Sequence, residues 1–397
     1  MKEICKPNHC LNCLACSNIC PSNAVVFCND YLDSPTAFID ESKCVGCGMC
    51  KKVCPQLNEI LRSTPKKCYA AWSSDENTRK NSASGGISYE LYKTVVSNGG
   101  CAVGVENSKT HEPIYMVYES SDDIKNFQNS KYVHSNMGSI YKNILDFLNV
   151  GKKVMFVGLP CQVASLKLFL NLKHANIDCL WCADLICHGT APFAYLEQHI
   201  NEINKKHKTD TKRIFYRDPR YGTDNFYFSL YGDGNKPYYK KAVYSLDSFQ
   251  IGYHNGIIYQ SSCYQCKYAS ENRCGDITLS DYSGLGNLYE FKAKKEKVSC
   301  ILINTKKGEE LIDLLIGNGS IISIERPTDE ILTFEKRLAS PTPVTPFRES
   351  FEKYYANTHS FEIAMKKSYY FEAKKKRNKY YLSLDPIKRV VKKILGK

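Results

Sequence analysis

The sequence lacks long apolar runs. No stretch of about 18 uncharged apolar residues occurs among its 397 residues, so we predict no segment that spans a bilayer. An apolar leader is also missing, since Met1 is followed by the charged Lys2 and Glu3. We therefore expect a cytoplasmic protein whose 20 cysteines stay reduced, which excludes a disulfide framework.

Excess positive charge is scarce outside the C-terminal end. The net charge is +13, but Phe361 to Lys397 contains 12 Lys or Arg against 3 acidic residues, so the rest of the chain is nearly balanced. A surface that binds nucleic-acid phosphates carries positive charge across its folded domain. We therefore expect no nucleic acid among the partners.

The sequence does contain a cysteine pattern that occurs twice near its start. The runs are Cys10, Cys13, Cys16, Cys20 with Pro21, and Cys44, Cys47, Cys50, Cys54 with Pro55. Gaps of two, two and three residues before a Cys-Pro pair are typical of bacterial ferredoxins, in which the last cysteine binds the neighbouring cluster. We predict two 4Fe-4S clusters, one held by Cys10, Cys13, Cys16 and Cys54 and the other by Cys44, Cys47, Cys50 and Cys20.

Zinc is the alternative to iron and sulfide at these cysteines. Zinc takes only four ligands in a tetrahedron, and the Cys-x-x-Cys pairs that bind it are usually farther apart. Two tandem runs of four cysteines, each closed by proline, favour the iron–sulfur interpretation.

Composition and apolar patterns divide the chain into three regions. We predict a double-cluster ferredoxin fold over residues 1–62, a mixed α/β domain over 68–325 and a helical basic extension over 329–397. A linker is expected at Ser63–Pro65. Predicted strands cover 24–27, 37–40, 101–106, 154–157, 180–186, 224–231 and 301–304, and predicted helices cover 162–172, 192–206 and 308–317.

Further cysteines lie in short motifs where a strand ends or a helix begins. The motifs are VGLPCQVASL from residue 157, ADLICHGTAP from 183 and SCYQCKYA from 262. Their cysteines, Cys161, Cys187, Cys263 and Cys266, are candidates for a third cluster. Buried structural cysteines are the alternative interpretation, and Cys179 and Cys182 are competing ligands.

Taken in order, these motifs resemble a known family. The set Ser-Gly-Gly, Pro-Cys-Gln, Cys-His-Gly and Cys-Tyr-Gln-Cys, followed by Gly-Asp-Ile-Thr, resembles the coenzyme F420 hydrogenase/dehydrogenase beta-subunit family, with a double-cluster ferredoxin fused in front. The match runs from Cys10 to about Tyr282. Members look like FAD and iron–sulfur proteins that pass electrons between iron–sulfur carriers and a hydride acceptor such as the deazaflavin coenzyme.

The resemblance implies cofactors and site residues. It gives a third 4Fe-4S cluster to Cys161, Cys187, Cys263 and Cys266. It places FAD contacts at Ser84, Gly85, Gly86, Lys131, Tyr132 and Ser135.

Some candidate residues have both chemical and structural interpretations. Lys131 beside a flavin would favour its anionic reduced form, whereas a solvated surface lysine is the alternative. His188 is a candidate for proton transfer, or it belongs to a backbone turn with Gly189. Asp184 and His188 flank the proposed ligand Cys187. The charged residues Arg217, Arg220 and Asp276 contact a substrate or cofactor, or form internal ion pairs.

The C-terminal tail also has two interpretations. Apolar residues recur there at helical spacing between lysines, at Tyr380, Leu384, Ile387, Val391 and Ile394. Such a helix suits docking on an anionic membrane surface, and it equally suits packing against the protein body or a partner helix.

Together these features predict an iron–sulfur flavoprotein oxidoreductase. Electrons would pass between the ferredoxin-type clusters and an FAD that exchanges hydride with a deazaflavin coenzyme or another small organic substrate. The expected partners are a redox protein or ferredoxin and a small-molecule electron donor or acceptor. The alternative is a non-catalytic electron-transfer subunit that docks on a separate reductase.

Overall fold

A computed structural model describes residues 2–222, 226–243 and 245–382, which contain fourteen strands and thirteen α-helices. The strands are β1 Lys2–Glu3, β2 Val25–Asn29, β3 Pro35–Ile39, β4 Lys67–Ser73, β5 Cys101–Asn107, β6 Pro113–Tyr118, β7 Val154–Gly158, β8 Leu180–Leu185, β9 Arg213–Phe215, β10 Phe228–Tyr231, β11 Tyr239–Lys241, β12 Ile277–Asp281, β13 Ser299–Ile303 and β14 Ile321–Arg326. The α-helices are α1 Ala15–Ile19, α2 Met49–Lys52, α3 Glu76–Asn81, α4 Ile87–Ser97, α5 Ile140–Asn149, α6 Pro160–Leu172, α7 Phe193–His207, α8 Ser248–His254, α9 Lys306–Gly317, α10 Thr328–Phe334, α11 Pro346–Thr358, α12 Phe361–Ser368 and α13 Tyr370–Leu382.

An eight-stranded mixed sheet forms the centre of the molecule, in the order β14-β4-β13-β12-β8-β7-β5-β6. The neighbours β12, β8, β7 and β5 are parallel, and the outer pairings are antiparallel. Strand β7 is buried along its whole length, as expected of a parallel strand covered on both faces. Because β7 and β8 run side by side in the same direction, their carboxyl ends lie at one edge of the sheet.

Helices cover both faces of this sheet. On one face, α4 and α9 contribute Leu91 and Leu315 to a shared apolar core. On the other face, α5 and α6 contribute Ile144 and Phe169 to a second core. The expected mixed α/β fold is confirmed, and the helices expected over 162–172, 192–206 and 308–317 are α6, α7 and α9 with ends shifted by no more than two residues.

The cysteine-rich N-terminal region packs directly on the large sheet. Its own sheet has the strand order β1-β3-β2, and its buried Ile19 and Ile39 belong to the same core cluster as Tyr141 and Phe169. The expected linker is also held in place, since the amide of Ser63 donates to the carbonyl of Arg273 at 3.0 Å and the reverse bond is 2.8 Å. The division at residues 62 and 68 remains a prediction.

The C-terminal helices α11 and α12 pack on helices α7 and α8. Phe351 and Tyr355 of α11 and Phe361 of α12 are fully buried against Tyr195 of α7 and Phe249 of α8. The expected helical extension is therefore confirmed as far as residue 382. Within the described residues, no helix is both long enough and apolar enough to cross a membrane.

The tail stripe predicted for docking lies outside the part of the chain whose side chains are described. Its members are Tyr380, Leu384, Ile387, Val391 and Ile394. Both interpretations of the tail therefore remain predictions.

A buried charge network fastens this C-terminal cover. His199 of α7 lies between two carboxylates, with its Nε2 2.9 Å from Asp247 and its Nδ1 2.5 Å from Glu362 of α12. Burial alone would lower the pKa of His199, but Asp247 and Glu362 raise it to about 10. The imidazolium therefore links α12 electrostatically to α7 and α8.

We expect His199→Gln to lower the free energy of unfolding by about 3 kcal/mol at pH 6, because it leaves two carboxylates facing an uncharged amide. The raised pKa means that this stabilisation is complete below pH about 6.5 and is lost as the pH rises through about 10. Anaerobic urea unfolding at pH 6 and pH 9.5 measures both quantities. The control is His207→Gln, an exposed position on the same helix, and an equal loss at both pH values would contradict the prediction.

Candidate electron-transfer site

Four of the eight ferredoxin cysteines line one internal cavity. They are Cys10, Cys13, Cys16 and Cys54, as the ligand exchange between the two runs predicts. Left-handed backbone at Asn12 and Leu14 turns the loop back on itself ahead of helix α1. Burial raises the pKa of the Cys13 thiol to about 12. This donor set fits an iron–sulfur cluster.

A fifth thiol, Cys5, lies in the same cavity. The nearby Cys5 thiol lowers the pKa of both Cys10 and Cys54 to about 7. The sequence pattern did not indicate this residue, because Cys5 lies outside the repeated spacing.

The second group of ferredoxin cysteines is at the surface. Cys44 and Cys47 are exposed, whereas Cys50 and Cys20 are half-buried. Burial raises the pKa of Cys50, and the nearby thiols Cys20 and Cys44 raise it further. The predicted second cluster would therefore be the one that solvent and partner proteins reach.

The third set of cysteines meets in another cavity. Its wall includes Cys161, Cys187, Cys263 and Cys266, and the space with its opening amounts to about 530 Å³. Burial raises the pKa of all four thiols, to about 11 for Cys263. Three separate segments thus contribute four cysteines to the wall of one cavity, a donor set whose chemistry suits a 4Fe-4S cluster.

The sheet explains how two of these cysteines meet. Cys161 is the second residue of α6, which follows β7, and Cys187 comes two residues after the end of β8. Both therefore lie at the edge formed by the carboxyl ends of adjacent parallel strands, where α/β folds gather their ligands. The competing candidate Cys182 lies inside β8, and neither it nor Cys179 lines this cavity.

A buried ion pair joins the Cys187 segment to the Cys263–Cys266 segment. Arg273 donates to the carboxylate of Asp184 from Nη2 at 2.9 Å and from Nε at 3.2 Å. Asp184 also accepts from the amides of Cys274 and Gly275. The side chain of Asp184 thus holds β8 against the backbone at Cys274 and Gly275. Asp276 is likewise bonded internally, to the Cys182 amide and the Thr305 hydroxyl.

Gly189 is required by the turn that follows Cys187. Its φ of +132° is rarely adopted by other residues, and a Cβ there would lie 2.3 Å from the Tyr259 ring. The adjacent His188 side chain is 55% exposed, and its Nε2 lies 3.7 Å from Glu335. The Cys-His-Gly motif thus has a clear backbone role, and proton transfer by His188 stays a prediction.

The first and third cavities are neighbours. Leu11, between two cysteines of the first run, lines both. Tyr268 lines the third cavity and donates through its hydroxyl to the carbonyl of Pro55 at 3.1 Å. His134 also lines the third cavity, and its Nε2 bonds the Asn12 carbonyl at 3.0 Å.

The Ser-Gly-Gly segment begins helix α4. The amide of Gly85 donates to the Ser299 hydroxyl at 2.9 Å, and a Cβ on Gly85 would lie 2.5 Å from the carbonyl oxygen of Ala71. Gly86, with φ +86°, is the residue that caps α4. Close packing on β4 and β13 is thus sufficient reason for Gly85. The first amides of α4 remain available for an anionic group.

The second predicted flavin segment lies near the first. Lys131 donates to the carbonyls of Phe127 and Gln128, and the Phe127 ring packs 5.2 Å from Tyr92 of α4. Burial lowers the pKa of Lys131 to about 7, and both interpretations of this lysine remain predictions. A nearby anion would favour its charged form.

Tyr132 and Ser135 are fixed by neighbours. The Tyr132 ring stacks on Tyr253 with centroids 4.3 Å apart, and the carbonyl of Ser135 accepts from the Gln162 amide at 3.1 Å. Gln162, the glutamine of Pro-Cys-Gln, is fully buried. Arg217 pairs with Asp281 at 2.5 Å and Arg220 with Asp218 at 3.0 Å, so both arginines form internal ion pairs.

Comparison with known families identifies the large domain. For the beta subunit of coenzyme F420 hydrogenase/dehydrogenase, a model of the N-terminal part matches residues 68–142, and a model of the C terminus matches 151–329. Together they cover well over half of the chain. The chain belongs to the coenzyme F420 hydrogenase/dehydrogenase beta-subunit family. A 4Fe-4S dicluster domain matches residues 9–58, so this member carries an iron–sulfur module in front of the family domain.

Curated relatives of this family member come from Methanocaldococcus jannaschii. A coenzyme F420-dependent sulfite reductase is 26% identical over 333 residues, which are 78% of this chain. The chain spans about half of the reductase, 46% of its length. An uncharacterized protein of the same archaeon is 24% identical over 81% of this chain and 90% of its own length.

A solved structure also resembles the chain. It is the F420-reducing nickel–iron hydrogenase complex from Methanosarcina barkeri, studied with xenon. One of its chains is 19% identical, with a TM-score of 0.46, and the similarity covers 78% of this chain and 92% of that one.

We expect Gly189→Ala to destabilise the protein by about 2 kcal/mol, because an added Cβ must displace the Tyr259 ring or change the left-handed turn. Thermal unfolding under anaerobic conditions measures the effect. The matched control is Gly234→Ala, since a Cβ at Gly234 meets no atom within 4 Å. Equal melting temperatures for the two variants would contradict the steric argument.

Proposed function

We propose that this protein is an iron–sulfur flavoprotein oxidoreductase that relays electrons through three 4Fe-4S clusters to an FAD. The observation that carries the proposal is the convergence of Cys161, Cys187, Cys263 and Cys266 on one cavity beside the first ferredoxin site. Four cysteines that are distant in sequence line this cavity. Leu11, which lies between the first two ferredoxin cysteines, lines both this cavity and the first one. A neighbouring cluster is the most economical reason for both facts.

The exposure of the sites suggests an order of transfer. Exposed Cys44 and Cys47 make the second cluster the contact point for a redox partner protein or ferredoxin. The first cluster, deeper in the protein, would receive its electrons next. Leu11 and Tyr268 would separate it from the third cluster.

Two tyrosines in contact, Tyr253 and Tyr132, connect the third cavity to the predicted flavin segment. The Tyr253 hydroxyl donates to the carbonyl of Gly189 at 3.2 Å, in the turn that follows Cys187. The Tyr253 ring stacks on Tyr132. This contact supports an FAD beside Tyr132 that lies within electron-transfer reach of the third cluster.

Several groups suit an FAD in this region. The first amides of α4, after Ser84, Gly85 and Gly86, would bind its phosphates, and Lys131 would place positive charge beside the ring. Ser135 belongs to the same segment as Lys131, and its carbonyl accepts a hydrogen bond from the Gln162 side chain. When bound, the flavin supplies the conversion between single electrons and hydride. His188, at the mouth of the third cavity, is the candidate for proton transfer.

We propose a deazaflavin coenzyme or a related small molecule as the hydride partner, as the name of the sulfite reductase suggests for that relative. A cytoplasmic location accords with reduced cysteines. A second candidate is a non-catalytic subunit that supplies electrons to a separate reductase, because the chain spans only 46% of that relative. Flavin content separates the two.

We expect about twelve irons per chain after anaerobic purification, and about eight in Cys263→Ser. The serine oxygen replaces one of the four thiolates of the third cluster and leaves the ferredoxin cysteines untouched. Iron and acid-labile sulfide assays measure the change. Cys182→Ser is the control, because Cys182 is buried but does not line the cavity. Full iron content in Cys263→Ser would refute the third cluster.

We expect Lys131→Gln to reduce FAD content several-fold without loss of iron, since it removes the only charge that we assign beside the flavin ring. Extraction of the flavin and its absorbance give the ratio of FAD to protein. Lys125→Gln, an exposed lysine in the preceding 3-10 turn, is the matched control. A wild-type protein with full iron content but no flavin would instead support the electron-supply subunit.

A further inference from the structure

One buried polar group in the third cavity has no partner. The side chain of Gln260 is 3% exposed and lines the cavity with Cys161, Cys187, Cys263 and Cys266. Among the residues that the structure describes, its Nε2 forms no hydrogen bond. An unpaired buried amide costs roughly 1–3 kcal/mol, so the group that it faces in the functional protein is expected to accept a hydrogen bond.

The backbone of Gln260 is fixed by both ligand-bearing segments. Its amide donates to the carbonyl of Thr190 at 2.9 Å, and its carbonyl accepts from the amide of Cys263 at 2.9 Å. Thr190 follows the Cys187 turn, and Gln260 directly precedes the 3-10 turn Ser261–Gln265. The side chain is therefore held at the cavity by the same contacts that position the cysteines.

We propose that Gln260 donates an N–H···S hydrogen bond to the third cluster and raises its reduction potential. The inference rests on the third cluster of the proposed function. Hydrogen bonds to cluster or cysteine sulfur stabilise the more negative, reduced state. The hydrogen bond thereby shifts the electron equilibrium between the first cluster and the third toward the reduced third cluster.

The test is the midpoint potential of the third cluster in the anaerobic holoprotein, followed by electron paramagnetic resonance during a redox titration. Gln260→Met keeps the length of the side chain but has no donor. We expect a tenfold shift of the one-electron equilibrium toward the oxidised cluster, which corresponds to a potential lower by about 59 mV. Iron content stays at the wild-type value.

A matched control is available at the first cavity. Gln56 lines that cavity, but its Nε2 already donates to the carbonyl of His9 at 2.8 Å. Gln56→Met is therefore expected to leave the third potential unchanged. An unchanged third potential in Gln260→Met would overturn the inference, whereas the absence of a third signal from the wild-type protein would overturn the proposed function itself.

A second variant keeps the test decisive if Gln260→Met does not fold. In Gln260→Glu the carboxyl group donates only when protonated, so we expect the midpoint potential to rise as the pH falls, with a steeper slope than in the wild type. Identical pH profiles for Gln260→Glu and the wild type would overturn the inference.

Discussion

The buried ion pair between Arg273 and Asp184 is the contact on which the arrangement of the cysteines depends. Asp184 belongs to β8, the strand that leads to Cys187, and Arg273 follows the segment that contains Cys263 and Cys266. The backbone of Arg273 also pairs with Ser63, at the end of the ferredoxin module. The side chain and backbone of Arg273 therefore connect the Cys187 segment, the Cys263–Cys266 segment and the linker that follows the ferredoxin module. The two buried charges of the ion pair neutralise each other.

Local spacing was enough to predict the ferredoxin sites and most of the central elements. Each cysteine run places its cluster ligands on short loops. The prediction that Cys54 joins the first run therefore follows from the repeat itself. The strand β7 was predictable because an apolar run is a local feature, and α6 was predicted from residue 162 although it begins at Pro160. The family resemblance then supplied the grouping of distant cysteines that spacing alone left open.

Long-range contacts account for what could not be predicted. Cys5, Gln260 and Tyr253 have no regular spacing relative to the cysteines, and their roles appear only when separate segments pack together. The expected linker at Ser63 illustrates the same limit, because a short polar stretch with proline gives no indication that it pairs with the distant segment at Arg273.

The apolar core shared by the ferredoxin module and the main sheet makes this electron carrier different from one on a flexible tether. Ile19 and Ile39 belong to the same apolar cluster as Phe169, so separating the ferredoxin module from the main sheet would expose apolar surface on both parts. The relative position of the first and third cavities is thereby set during folding rather than by diffusion. Residues 9–58 cannot be replaced by an unrelated dicluster domain unless the apolar side chains of the replacement fit the same core.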